Sequence, residues 1–520
     1  MSTAFAGHML ERAVWAAESF ATYDADSVGR IAQAVADAAY EASGHYAEWA
    51  VRETGMGVVA DKVRKNQACS RGILEFYRGQ DFVSPRVDEL DKIVEIPRPA
   101  GVVLALTPTT NPVSSVYFKV LIAMLTRNAI VVAPHPRAKL SCADAAHMLS
   151  AAAVAAGAPD GIIQVVDEPT IPLMEALMSD DRTDVIVATG GSSVVRAAYS
   201  SGNPALGVGP GNVPVFVDAT ADVRLAAQRI VDSKAFDNSL LCTNESVLIA
   251  EDSVADGLTR EMQRAGAHLL DVDDVNRLRE YMFPEGHLNT DVVGKDAVWI
   301  ADKIGLRLTA KTRLLVAPFD VVRSEEVLAH EKLSPVIGMV RVPDADRGVR
   351  AARAVVRIAG AGHSAAIHSE NSHTIMNYAA LVPVLRISVN VGNSTGSAGL
   401  DTNLAPSMTI GTGFAGRSSI GDNLEPKHLL NWARVAYNSD ESVRMANLSG
   451  VEIWQVPAGA VPVYPIASNA APGSGVAVPK SVPRTIRADS PVRGSSTDAD
   501  RLRAELRRIV VEELSQLNKR

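Results

Sequence analysis

Cysteine is scarce in this chain. Its 520 residues include three, Cys69, Cys142 and Cys242, too few for a disulfide framework, so a reducing compartment, the cytoplasm, is expected. No run of 18 apolar residues occurs, which argues against a membrane-spanning helix, and Met1-Ser2-Thr3 opens no signal peptide. The net charge is −8, so no overall basic surplus points to nucleic acid. One local absence is more telling. From Val185 to Val217 there is no Asp or Glu, and that stretch therefore offers no general base.

What is present is ordinary globular material, 47% hydrophobic and 21% charged, in a chain long enough for two or three domains with an ample core. The first 75 or so residues read as helices: Ile31, Val35, Ala38, Ala39 and Ala42 keep a helical spacing, with Asp24 or Asp26 as the cap. From Ile93 the texture changes. Strand-like runs (93–96, 101–106, 129–133, 162–166, 185–188) alternate with helical stretches near 116–125 and 143–156, which predicts a doubly wound parallel sheet. A second α/β region is expected from Gly211 to about residue 430. Residues 469–497 are rich in Pro, Gly, Ser and Arg without periodicity and read as a flexible linker. A last helix, 498–520, is expected after Ser496-Thr497-Asp498.

Cys242 follows Phe236-Asp237-Asn238-Ser239-Leu240-Leu241 and precedes an apolar run, Val247–Ala250. A thiol at a strand edge among small and polar residues suits a nucleophile. Cys69 and Cys142 read as core residues. Asn111 follows a buried strand in a Pro-bracketed turn. Its amide can donate to a developing oxyanion, as can the backbone N–H of Cys242; a plain turn-forming Asn is the alternative. Thr189-Gly190-Gly191-Ser192 joins a strand to a helix and lets backbone N–H groups approach a pyrophosphate, or is an ordinary turn. His135, Arg137 and Lys139 follow the second strand, where ribose selectivity is set in doubly wound folds. No acid stands among them, so a 2′-phosphate is not disfavoured; they equally suit coenzyme A phosphates or a solvated loop. His363 reads as a structural histidine, with proton transfer as the alternative. Thr412–Ser419 is a candidate channel lining.

Taken together, Glu53-Thr54-Gly55-Met56-Gly57, Thr107-Pro108-Thr109-Thr110-Asn111-Pro112, Pro134-His135-Pro136-Arg137-Ala138-Lys139, Ala188-Thr189-Gly190-Gly191, Gly207-Val208-Gly209-Pro210-Gly211-Asn212 and His330-Glu331-Lys332-Leu333-Ser334-Pro335 resemble the aldehyde dehydrogenase superfamily over roughly residues 15–455. The resemblance is greatest to its CoA-acylating branch, which includes the aldehyde half of bifunctional alcohol/aldehyde dehydrogenases and the aldehyde enzymes of bacterial microcompartments. It implies an aldehyde dehydrogenase-like α/β fold: a Rossmann-type NAD/CoA-binding domain over 1–210, a catalytic domain carrying Cys242 over 211–430, and an oligomerisation segment over 431–468. It also implies Cys242 and Asn111 as catalytic residues. The implied cofactor contacts are Thr107, Pro108, His135, Pro136, Arg137, Lys139, Thr189, Gly190, Gly191, Ser192, Gly209, Glu331 and Leu333, with Glu331 on the nicotinamide ribose and no metal.

Hydrolytic members of that superfamily carry a Glu ahead of the nucleophile, where this chain has Gly207-Val208. The acylating branch shares this departure, so the resemblance implies oxidation of a short aldehyde to acyl-CoA with NAD, NADP remaining open. It also implies a homo-oligomer, dimer or tetramer, formed through a strand near Ile93–Arg98 and the region after residue 430. A hydrolytic dehydrogenase with its base elsewhere and an idle scaffold are the competing readings.

The tail lies outside the enzyme resemblance. Leu502, Leu506, Ile509, Val510, Leu514 and Leu517 form an imperfect amphipathic stripe. Residues 498–520 resemble the encapsulation peptides that bind microcompartment shell proteins, which implies a location inside such a compartment. A helix docked on its own enzyme, a coiled-coil contact and a membrane-surface helix are the alternatives.

Overall fold

The computed structural model describes residues 2–457 and 463–465. The predicted linker (469–497) and final helix (498–520) lie outside the described residues, as does part of the 431–468 segment. The N-terminal helices form as their spacing predicts. Asp24 caps the helix Ala25–Glu41 by accepting the Ser27 N–H, and Val28, Ile31, Ala32, Val35 and Ala39 line its buried face.

Among the described residues, fifteen strands form three sheets. The first is parallel: Val102–Thr107 (β3), Ala129–Pro134 (β4), Ile163–Val165 (β5), Val185–Ala188 (β6) and Ala205–Gly207 (β7), in the order β5-β4-β3-β6-β7. Every residue of β3 and β4 is buried, as expected of a sheet covered on both faces, and both read as unbroken apolar runs for that reason. The chain starts in the middle at β3, works outward to β5, then returns to β6. The carboxyl ends of β3 and β6 thus flank the topological switch point, where doubly wound folds bind ligands. Lys119 lies fully buried beneath it, its ammonium donating to the carbonyls of Leu106 (2.6 Å) and Val187 (3.1 Å).

The second sheet is also parallel: Val213–Val217 (β8), Glu245–Glu251 (β9), Ala267–Leu269 (β10), Leu314–Pro318 (β11), Val336–Val342 (β12), Ala365–His368 (β13) and Ile387–Val389 (β14). Their order is β10-β11-β12-β9-β8-β13-β14. A third, antiparallel sheet joins Arg86–Asp88 (β1), Ile93–Pro99 (β2) and Leu430–Ala436 (β15), with Ile93 opposite Ala436 and Pro99 opposite Leu430. The strand Ile93–Pro99 and the stretch just after residue 430, which the resemblance implies for oligomerisation, are therefore partners of each other within the chain. No helix among the described residues is long and apolar enough to cross a membrane.

Candidate active site

The site lies where the carboxyl edge of the first sheet meets the amino edge of the second. Cys242 lies three residues before β9 and Gly211 two residues before β8. Asn111, just beyond β3, reaches across: its Nδ2 donates to the Leu240 carbonyl at 3.2 Å, two residues before the thiol. Asn111 is buried, whereas Cys242 is half-buried. The structure thus brings together the two residues expected to be catalytic.

The nucleophile loop is held in an unusual backbone. Asp237, Asn238 and Ser239 have φ of 48°, 51° and 63°, three successive non-glycine residues in the left-handed region, each costing on the order of 1 kcal/mol. The surroundings fix all three. The fully buried Asp237 carboxylate accepts from Lys62 (3.1 Å), from Lys65 and from the Val58 N–H (2.7 Å), while its own N–H donates to Asp61 (2.8 Å). Asn238 donates to the Gly294 carbonyl at 2.9 Å and Ser239 to the Lys234 carbonyl. Asn244 ties the far side of the loop to the carbonyls of Ser239 (3.0 Å) and Leu241 (2.6 Å).

Burial, and next the nearby Glu331, push the Cys242 thiol up to about 12. The N–H groups of Cys242 and Thr243 and the Arg386 guanidinium act in the opposite direction. Arg386 is buried and donates to Asn423 Oδ1 (2.6 Å) and to the carbonyls of His363 (2.8 Å), Gly362 (3.3 Å), Gly411 and Gly421. Among the described residues it pairs with no carboxylate, which leaves its charge to favour an anion at Cys242. Glu331 is half-buried; desolvation raises it to about 8, although Lys234, Lys332 and the Gly211 N–H favour its ionised form. It is a carboxyl group beside the nucleophile that the sequence reading did not place there.

At Gly207-Val208, where the resemblance implies a hydrolytic enzyme's base, Gly207 has no room for a side chain and Val208 is a buried apolar residue. A Cβ on Gly207 would lie 2.7 Å from Val195 and 2.8 Å from the Tyr199 ring. Tyr199 accepts the Gly207 N–H at 2.9 Å and Ser418 donates to its carbonyl at 2.6 Å. Gly209 faces Thr412, 3.5 Å from where its Cβ would be, and Phe414, two residues on, is almost fully exposed.

The residues expected at a dinucleotide line the switch point. Thr107 ends β3, and Pro108 begins the loop to Asn111. Thr189 follows β6, its hydroxyl 2.8 Å from that of Thr409. Gly190 and Gly191 lead into the helix Ser192–Tyr199. No atom lies within 4 Å of where a Cβ on Gly191 would be, and Ser192 is exposed. That open space over a helix N-terminus fits a pyrophosphate. Leu333, next but one to Glu331, is held at φ 43°, and its carbonyl accepts the Gly294 N–H at 2.9 Å.

The segment after β4 differs from its reading in sequence. His135 Nδ1 accepts the Arg137 N–H at 3.1 Å and so caps the turn Pro136–Ala138. Sequence neighbours suggest an acid-free basic cluster, but the fold brings in two acids. Glu53 accepts the N–H groups of Leu140 (2.8 Å) and Ser141 (2.9 Å) at the start of the helix Lys139–Ala155, and Glu168 pairs with Lys139 at 2.5 Å. Arg137 instead lines a cleft of about 440 Å³ with Lys295, Lys303, Trp299, Tyr281 and Asp291, among others. None of these three cations forms an ion pair within 4.0 Å among the described residues. Neither Cys242 nor Asn111 borders this cleft.

His363 is fully buried, with Nδ1 3.0 Å from Ser364 Oγ. Burial, with Arg386 beside it, pulls it down to about 3, so it is neutral in the resting site. Cys69 and Cys142 are buried, and burial raises both thiols. Sequence reasoning missed Lys62, Lys65, Lys119 and Arg386, all buried cations. Only the Lys62 and Lys65 spacing, which puts both on one helix face, carried any signal.

The aldehyde dehydrogenase family profile matches residues 2–282. An aldehyde-alcohol dehydrogenase of Clostridium acetobutylicum is 38% identical over 427 residues, covering 81% of this chain and 49% of that protein. This chain therefore spans about half the length of that relative. The crystal structure of an acetylating aldehyde dehydrogenase from Geobacillus thermoglucosidasius matches at TM-score 0.83 and 37% identity, covering 85% of this chain and 98% of that one. A propionaldehyde dehydrogenase from the Clostridium phytofermentans fucose utilisation bacterial microcompartment matches at TM-score 0.75 and 28% identity, over 83% and 97% of the two chains. With the parallel sheets and the Asn111 amide set against the Cys242 loop, this chain belongs to the aldehyde dehydrogenase family.

Proposed function

We propose that this protein oxidises a short aldehyde to its acyl-CoA: aldehyde + NAD⁺ + CoA → acyl-CoA + NADH + H⁺. The observation that carries the reading is the Gly207-Val208 stretch, a glycine with no room for a side chain followed by a buried valine, neither able to activate water, beside a cysteine loop that the Asn111 amide reaches. The acetylating relative of similar length supports it. Cys242, as thiolate, adds to the aldehyde carbon. The Asn111 amide and the Cys242 N–H stabilise the alkoxide of the resulting thiohemiacetal. NAD, when bound, supplies the hydride acceptor that turns this carbon into a thioester carbonyl. The CoA thiolate then attacks the thioester, the same two donors stabilise the second tetrahedral oxyanion, and Cys242 departs as thiolate. A thiol suits both steps because it attacks readily and leaves readily.

The Thr189–Ser192 turn would hold the pyrophosphate, and Glu331 the nicotinamide ribose. Glu53 and Glu168 favour NAD over NADP, since they occupy the helix N-terminus and the lysine that a 2′-phosphate would need. The cations of Arg137, Lys295 and Lys303 would take a CoA phosphate; their shared cleft supports this. In this reading residues 1–210 form the cofactor domain and 211–430 the catalytic domain. Residues 431–468 serve oligomerisation together with the β2 edge, and 498–520 bind microcompartment shell proteins; the microcompartment relative supports that location. A panel of short aldehydes with and without CoA, with acyl-CoA identified by mass, tests the function. NADH formed without acyl-CoA across the panel overturns it.

A further inference from the structure

We propose that Lys65 is a positioning residue for the oxyanion donor: its ammonium fixes which way the Asn111 amide faces. The proposal rests on the reading of Asn111 as that donor and adds what makes the donor work. An Asn side chain can be flipped with little change in shape, and its partners decide which end is oxygen. Lysine only donates. The Asn111 atom 2.5 Å from Lys65 Nζ must therefore be Oδ1, which leaves Nδ2 facing Leu240 O and Thr110 Oγ1, both at 3.2 Å, on the side of the Cys242 loop. With the opposite flip, a carbonyl oxygen would face the developing anion.

Lys65 has little freedom to do otherwise. It is 1% exposed, and its second bond goes to Asp237, the first of the three left-handed residues leading to Cys242. One ammonium therefore ties the donor to the nucleophile loop. Its charge-assisted bond to the amide oxygen also polarises the amide, making Nδ2–H a stronger donor. Lys62, one turn earlier on the helix Val59–Ala68, reaches the same Asp237 oxygen and the Thr110 carbonyl (3.2 Å) but makes no bond to Asn111. Asp237 consequently keeps a cationic partner when Lys65 is replaced, and a Lys65→Met variant leaves no orphaned buried charge.

The test is single-turnover NADH formation from aldehyde and NAD without CoA, so that the acceptor step is not involved. Wild type, Lys65→Met, Asn111→Ala and the double variant are compared, with NAD affinity measured by fluorescence titration. Lys65→Met should slow the turnover roughly 10- to 100-fold, less than loss of the donor itself, at unchanged NAD affinity and aldehyde half-saturation. The double variant should be no slower than Asn111→Ala. Lys65→Gln, which can still donate to the Asn111 oxygen, should recover part of the rate, and Lys62→Met should lose less than Lys65→Met. A wild-type rate in Lys65→Met, losses that multiply in the double variant, or a folded, NAD-binding Lys65→Gln as slow as Lys65→Met would each overturn the proposal. An unchanged rate in Asn111→Ala would instead sink the oxyanion reading on which it stands.

Discussion

Gly211 is pressed against the backbone of Cys242: a Cβ at position 211 would lie 2.0 Å from the Cys242 carbonyl oxygen and 3.2 Å from Glu331 Oε1. Backbone cannot yield as a flexible side chain can, so Gly211→Ala should displace the nucleophile. A shift of about 1 Å at a reacting group costs on the order of 10²-fold in rate. We expect a kcat loss of that size in a protein that still binds NAD; steady-state kinetics alongside a thermal melt measures both. Wild-type kcat would mean that the loop relaxes without moving the thiol.

Replacing Cys242 with Ala should abolish NADH formation, because no other group in the site can form the thiohemiacetal. Cys69→Ala and Cys142→Ala should leave the chemical step near wild type, because both thiols are buried and burial raises them. Residual turnover above a few per cent in the Cys242 variant would move the nucleophile elsewhere.

Asn111→Ala should lower kcat by roughly 10²–10³-fold, the usual loss for one oxyanion donor. A loss confined to NAD affinity would make Asn111 a cofactor contact instead.

The raised Cys242 thiol has a pH signature in the free enzyme. With the thiol pushed up to about 12, thiolate is a minor species at neutral pH. Iodoacetamide inactivation should therefore accelerate about tenfold per pH unit across the neutral and mildly alkaline range without a plateau. Glu331, raised to about 8, is neutral below that pH and opposes the thiolate only above it. Glu331→Gln should match wild type at pH 7 and react faster at pH 9. A plateau near neutral pH would show a thiolate already formed in the resting site.

Much of this was legible in the sequence because it is written locally. The buried strands β3 and β4 are continuous apolar runs, and Asp24 precedes its helix with the expected spacing. Thr107–Pro112 and Thr189–Ser192 sit just beyond strand ends, where a switch point must lie. What was not legible depends on distant pairing. Glu53 caps a helix that begins 86 residues later at Lys139, so the cluster after β4 looked free of acid when it is not. Lys62 and Lys65 look like solvated surface charges until Asp237, more than 170 residues away, is folded onto them. The motif around Glu331 implies a ribose contact, yet its closeness to Cys242 follows only from the way Gly211 lies between them.

The acceptor is the central claim, and rapid mixing tests it most directly. Enzyme mixed with aldehyde and NAD is followed at the NADH band, with and without CoA, and the acyl product is quantified. The account predicts a burst of about one NADH per active site without CoA and then a stall, because nothing at Gly207-Val208 can activate water. With CoA, turnover should be sustained, with one acyl-CoA formed per NADH. Sustained release of free acid without CoA, at a rate comparable to that with CoA, would contradict it.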